Sequence, residues 1–215
     1  MAINFNKKLK IIIEDYFSHI RNKKIFFCDA DCKYSSIEFI SKVINYQNEL
    51  KKIWKDQKNN LGVGILLERN IDYIAMIFAT WLSGGYYVPL SLSSPEKNTK
   101  YQIFNSKISL IVKKDGNKII FKKILNKNKI RFKTKDFDIA YIIFTSGSTG
   151  QKKGVLIRKS SFISYINNLK KSLNTKVKPK SILINGEMTF DISLADIAFA
   201  FNFNASLSVT NDSRN

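Results

Sequence analysis

The amino-acid sequence predicts an α/β fold, with mainly parallel sheet(s) flanked by helices. Three observations carry this. Short apolar runs alternate along the chain with segments whose apolar residues recur at helical spacing. The strongest run, Ile139 to Phe144, delivers the chain straight into a loop of small hydroxylated residues and glycines. Only three prolines occur, at positions 89, 95 and 179, and no Pro-rich linker or internal repeat divides the 215 residues. Residues 1–215 therefore read as one unit: a substantial core, or part of a larger one.

The elements follow in order. Phe5, Leu9, Ile12, Tyr16 and Ile20 predict a helix over 5–20. Ile37, Ile40, Ile44 and Leu50 predict a second over 35–55. Residues 61–67, LGVGILL, predict a short buried strand. Asn70 is a helix cap for residues 71–82, and Gly84 ends that helix. Residues 88–90 and 108–112 predict strands, and between them Pro95 opens a helix to about 105. Asp115-Gly116 marks a hairpin turn. The charged stretch 122–135 predicts a surface connection, and 139–144 a strand. Phe162, Ile166, Leu169 and Leu173 share the face of a helix over 160–173. A strand at 181–185, a helix from Ser193 and a strand at 206–209 complete the pattern.

Composition bounds the function. Hydrophobic residues make up 44% and aromatics 13%, values that suit a folded domain. Thirty-six basic against 17 acidic residues give a formal charge of +19. A nucleic-acid binder would use such charge on phosphates. Here the lysines are spread along the whole chain, with no basic helix or aromatic–basic platform. That favours a solvated surface and no specific nucleic-acid partner. Cys28 and Cys32 with the lone His19 fall short of a zinc set, so two reduced cysteines and no metal site are expected. The longest apolar stretch, 73–82, is well under the ~20 residues of a membrane span. A cytoplasmic protein without membrane association is expected.

The most informative segment is Tyr141 to Val155, YIIFTSGSTGQKKGV. A buried strand leads to Thr145, Ser146, Gly147, Ser148, Thr149 and Gly150. Four hydroxyls can donate to phosphate oxygens, and two glycines let backbone N–H groups turn inward on a polyanion. Lys152 and Lys153 add positive charge just beyond. It is not a Walker loop, because Lys152 stands where the second glycine is required. A flexible Ser/Gly linker is the plainer alternative. A linker does not usually follow a buried strand and end in K-K-G-V-L-I.

TSGSTGQKKGV closely resembles the phosphate-loop signature of the adenylate-forming superfamily, usually T-S-G-S/T-T-G-x-P-K-G-V. Lys153 falls on that signature's lysine. Lys152 replaces a proline, and Lys159 stands where many members have histidine. Tyr34-Ser35 with Glu38-Phe39 resembles the superfamily's early helix start. Gly84, Gly85, Tyr87, Val88, Pro89, Leu90 and Pro95 match the stretch written G-G-A-Y-V-P-L-D-P-x-x-P, with Ser91 in place of its aspartate. The resemblance runs from about residue 30 to 210 and implies the N-terminal part of that superfamily's large domain.

The resemblance also implies a reaction. A carboxylate attacks the α-phosphate of ATP, with Mg2+, to give an acyl-adenylate and pyrophosphate. The acyl group then passes to a thiol, from coenzyme A or a carrier protein's phosphopantetheine. Thr145 to Gly150 and Lys153 would hold the phosphates. Phe190-Asp191-x-Ser193 resembles the F-D-x-S motif of amino-acid-adenylating members, as in nonribosomal peptide synthetases and D-alanine–carrier-protein ligases. In those enzymes the aspartate pairs with the substrate's α-ammonium group. By local chemistry alone Asp191 could equally serve as a helix cap. The segments resembling the superfamily's later acidic, ribose-binding and lysine motifs are not found, so a partial, inactive unit is expected. Exposed apolar surface is expected around Phe199, Phe201 and Phe203.

Overall fold

The computed structural model of the chain describes residues 4–29, 32–55, 61–124, 138–145, 152–172 and 178–210. Local chemistry sets the helices. The Asn4 side chain accepts from the Lys7 N–H and starts α1 (Phe5–Ile20). Ser35 and Glu38 form a reciprocal capping box at the start of α2 (Ser36–Ile53). Asn70 accepts from the N–H groups of Asp72 and Tyr73 and starts α3 (Ile71–Leu82). Gly84, at φ +82°, turns the chain out of that helix. Pro95 precedes α4 (Glu96–Ser106). α5 (Lys159–Ser172) and α6 (Ile192–Phe203) complete the set.

The strands form two sheets. The larger runs β6 (Lys118–Lys123), β5 (Leu110–Asp115), β3 (Gly62–Leu66), β4 (Tyr86–Pro89), β7 (Ile139–Thr145), β8 (Lys153–Arg158). Its four inner strands are parallel, and the two edge strands pair antiparallel. The Asp115-Gly116 signal makes the β5–β6 hairpin, with Gly116 at φ +56°. The smaller sheet runs β2 (Lys33–Tyr34), β1 (Phe27–Cys28), β10 (Ser206–Val209), β9 (Ser181–Ile184), parallel except for β1–β2. Cys28 and Cys32 are free thiols.

The main core lies between the sheets. Tyr16 of α1 is its hub: its ring packs edge-on against Phe201 at 5.1 Å and against Phe26 at 6.0 Å. Its hydroxyl donates to the Ala205 carbonyl at 2.7 Å. Leu9, Val43, Phe78, Tyr87, Tyr141, Ile143, Phe162 and Leu194 join the same cluster. Tyr86, Val88, Ile108, Ile139 and Ile142 face the other way and form a second, smaller core beneath α4. The split follows from strand alternation, since successive side chains point to opposite faces.

Three expectations are corrected. A strand, β8, intervenes between the small-residue loop and α5, where the sequence suggested a helix directly. On α2, Ile37 and Ile44 are exposed, and the buried stripe is Ser36, Phe39, Val43 and Leu50. Phe201 is buried against Tyr16 and Phe78, while Phe199 and Phe203 are half-buried and stack on one another at 6.4 Å. The α6 residues are apolar all round, so their spacing gave no hint of which side is covered.

Candidate functional site

A parallel sheet leaves its ligand sites at the carboxyl ends of its strands. β7 ends at Thr145, and β8 begins at Lys153. The two residues are partners across the antiparallel pair, so the strands form the closed base of the loop between them. Ser146, Gly147, Ser148, Thr149 and Gly150 lie outside the described residues. Thr145 and Lys153 are both exposed at the mouth. Gly154 packs tightly behind them: an added Cβ would stand 3.2 Å from the Phe144 ring. Lys152, Lys153, Phe144 and Tyr101 border a cavity of about 360 Å³ on the α4 side.

Asp191 occupies the position just before α6, in helical conformation at φ −69° and ψ −17°. It makes no side-chain capping hydrogen bond, so the carboxylate is not used as a cap. The residue is exposed. Its charge acts on Tyr141 of β7: burial first, then Asp191, then Tyr165 push that phenol up to about 12. The carboxylate is thus within electrostatic reach of Tyr141, four residues before Thr145 on β7. Ser193 donates to the Phe190 carbonyl at 2.8 Å and fixes the turn that carries Asp191. Phe190 and Ile192, on either side, are each 59% exposed.

Two residues stand out that sequence patterns did not single out by role. Arg69 follows β3, and its guanidinium donates to the carbonyls of Asn185 and Gly186 at 2.7 and 2.9 Å. It also donates to the Thr210 carbonyl at 2.7 and 3.0 Å and to the Thr210 hydroxyl at 3.0 Å. The carboxyl ends of β3, β9 and β10 thus meet at one side chain. Lys159, noted in the sequence only as a departure from histidine, is fully buried. It donates to the Asn6 side-chain oxygen and, at 3.0 Å, to the Gly84 carbonyl. Burial lowers its pKa to about 7, opposed by the charge of Asp138.

Among the described residues no group of three or more His, Cys, Asp or Glu stands close enough to hold a metal ion. No helix among them is long and apolar enough to cross a membrane.

The fold is a mainly parallel α/β domain with helices flanking its sheets. The family model for AMP-binding enzyme matches residues 50–210, and the chain belongs to that family. The family in general uses ATP and Mg2+. Bacitracin synthase 3 of Bacillus licheniformis is 28% identical over 172 residues, covering 74% of this chain and 3% of that protein. Gramicidin S synthase 1 of Brevibacillus brevis is 30% identical over 183 residues, covering 74% of this chain and 16% of that protein. The N-terminal subdomain of NpsA from Klebsiella oxytoca, solved in complex with 3-hydroxyanthranilyl-AMSN, shares the fold with a TM-score of 0.70. That match, at 18% identity, covers 94% of this chain and 53% of the NpsA chain. The chain thus spans a small part of the length of the curated relatives it matches. The resemblance read from the phosphate-loop signature is confirmed, and with it the α/β fold.

Proposed function

We propose that residues 1–215 form part of an adenylation domain that activates an amino acid with ATP. Two observations support this reading. The small-residue loop is closed at its base by Thr145 and Lys153. Within electrostatic reach of Tyr141 on β7 stands Asp191, an exposed aspartate that caps nothing. Bacitracin and gramicidin S synthases are among the relatives that match, and the NpsA subdomain was solved with an aryl-AMSN ligand, which agrees with a carboxylate-activating site.

The chemistry requires charge management. A substrate carboxylate oxygen bonds to the α-phosphorus of ATP as the bond to the pyrophosphate oxygen breaks. An acyl-adenylate forms and pyrophosphate leaves. In this reading Thr145, Ser146, Ser148 and Thr149 donate to the phosphate oxygens. Gly147 and Gly150 let the backbone approach, and Lys153 supplies a cation at the mouth. Mg2+ bound to the triphosphate would offset the charge that the incoming carboxylate meets, taking water and phosphate oxygens as most of its ligands. Asp191 faces the substrate's α-ammonium group, because an ammonium leaving water needs a fixed counter-charge. The acyl group then passes to a thiol, with a carrier protein's phosphopantetheine as the acceptor that the peptide-synthase relatives favour.

The test uses paired probes. One is an aminoacyl sulfamoyl-adenosine, the tightest binder from a panel of small, apolar, polar and charged side chains. The other is the same compound without its α-amino group. Calorimetry on the chain should show the amino compound binding at least about tenfold tighter, the worth of one charge-assisted hydrogen bond in a partly buried site. Asp191→Ala should remove that preference. Equal affinity of the wild type for both compounds would move the protein to the class that activates acids without an amino group.

A further inference from the structure

The Asn185–Gly186 corner connects β9 to the segment bearing Asp191, and it is held from two sides. On one side is the Arg69 guanidinium, which reaches both carbonyls of the corner from the end of β3. A planar fork can reach two such oxygens and the two oxygens of Thr210 at once, which an ammonium cannot do. Thr210 ties back to the corner as well, since its hydroxyl donates to the Asn185 side-chain oxygen at 3.1 Å. On the other side is the first turn of α6. A Cβ on Gly186 would stand 2.5 Å from Cγ2 of Ile192, the residue after Asp191. The helix start therefore rests directly on the glycine whose carbonyl the arginine holds. Between the two points the chain is tightly turned: the Phe190 N–H donates to the Glu187 carbonyl at 2.9 Å, and Met188 is buried.

We propose that Arg69 is a positioning residue for Asp191, pinning the Asn185–Gly186 corner on which the first turn of α6 rests and so fixing where the carboxylate stands. The role rests on the reading of Asp191 as the counter-charge to the substrate's ammonium group. It reaches across the molecule: Arg69 is anchored beside Asn70, the cap of α3, on the larger sheet. The aspartate belongs to the element that follows the smaller sheet. One side chain thereby couples the carboxyl ends of two sheets, and a displacement of either sheet is felt at Asp191. Binding constellations of this kind lose their selectivity when a group is misplaced by even ~1 Å.

The experiment uses the full chain with Arg69→Lys, which keeps the charge and removes the fork. The first arm is amide hydrogen exchange. Residues 186–191 should exchange about tenfold faster in the variant, while the amides of α3 keep their wild-type rates. Unchanged exchange in 186–191 overturns the proposal. The second arm measures the amino-to-desamino affinity ratio with the paired probes. The ratio should fall about tenfold in Arg69→Lys at unchanged MgATP affinity and unchanged far-ultraviolet circular dichroism, which a general loss of structure would not produce. A ratio kept in Arg69→Lys but lost in Asp191→Ala overturns the positioning role and leaves the reading of Asp191 standing. A ratio near one in the wild type removes that reading, and the positioning role with it.

Discussion

The Lys159 ammonium donates to the Gly84 carbonyl at 3.0 Å from a fully buried position, joining the start of α5 to the end of α3. Its folded pKa of about 7 lies below the ordinary lysine value because burial penalises the charge. Between pH 7 and pH 10 the unfolded chain therefore holds a proton at this residue that the folded chain sheds. Stability must rise with pH across that window. Denaturant unfolding should show a gain of about 2 kcal/mol between pH 7 and pH 9 in the wild type. Lys159→Met should lose that gain. An identical pH slope in both proteins would contradict the assignment.

Adjacent glycines should respond differently to the same substitution. Gly84 takes φ +82° and has open space around it, the nearest atom to an added Cβ being Asn6 Nδ2 at 3.9 Å. Alanine there should cost about 1 kcal/mol, for conformation alone. At Gly85 a Cβ would collide with the Leu61 carbonyl oxygen and stand 2.7 Å from the Trp54 ring. Backbone cannot give way as a side chain tip can, so Gly85→Ala should cost about 3 kcal/mol. Urea midpoints for the two variants would settle the order, and a larger loss at Gly84 would contradict it.

Asp196, half-buried on α6, has its carboxyl raised to about 6 by burial. A raised folded value means stability falls as pH climbs from about 4 to 6 and stays reduced above. Asp196→Asn has no charge to desolvate. It should stabilise the protein by about 1–2 kcal/mol at pH 7, after allowance for solvent screening, and by nothing measurable at pH 4. A gain of equal size at both pH values would show that the charge is not the cause.

What the sequence revealed was what local chemistry decides. Asn70 and Gly84 bound α3 because a cap and a left-handed turn are properties of a few adjacent residues. The Asp115-Gly116 hairpin was legible for the same reason. The strand that leads into residues 145–150 was legible because Ile139 to Phe144 is a continuous apolar run. β8 was not, since KGVLIR has no clean alternation and its pairing partner is set by tertiary structure. β1 and β2, two residues each, are too short to show a period. Phe201 was placed outside because an all-apolar helix conceals its buried side. Arg69 and Lys159 were unreadable for another reason: charged residues are expected at the surface. Only the folded chain brings carbonyl oxygens from distant elements to meet them. Asp191 was half legible, its motif visible and its freedom from capping duty a matter of geometry.

The proposed phosphate grip of residues 145–150 with Lys153 is the part on which everything else depends, and amide mapping tests it most directly. A 15N-labelled chain titrated with MgATP should show the amides of residues 145–153 shifting first and furthest. Those shifts should vanish when Ser146, Ser148 and Thr149 are all replaced by alanine. Shifts of equal size in the triple variant, or shifts centred on another part of the molecule, would contradict the assignment of this loop to the nucleotide.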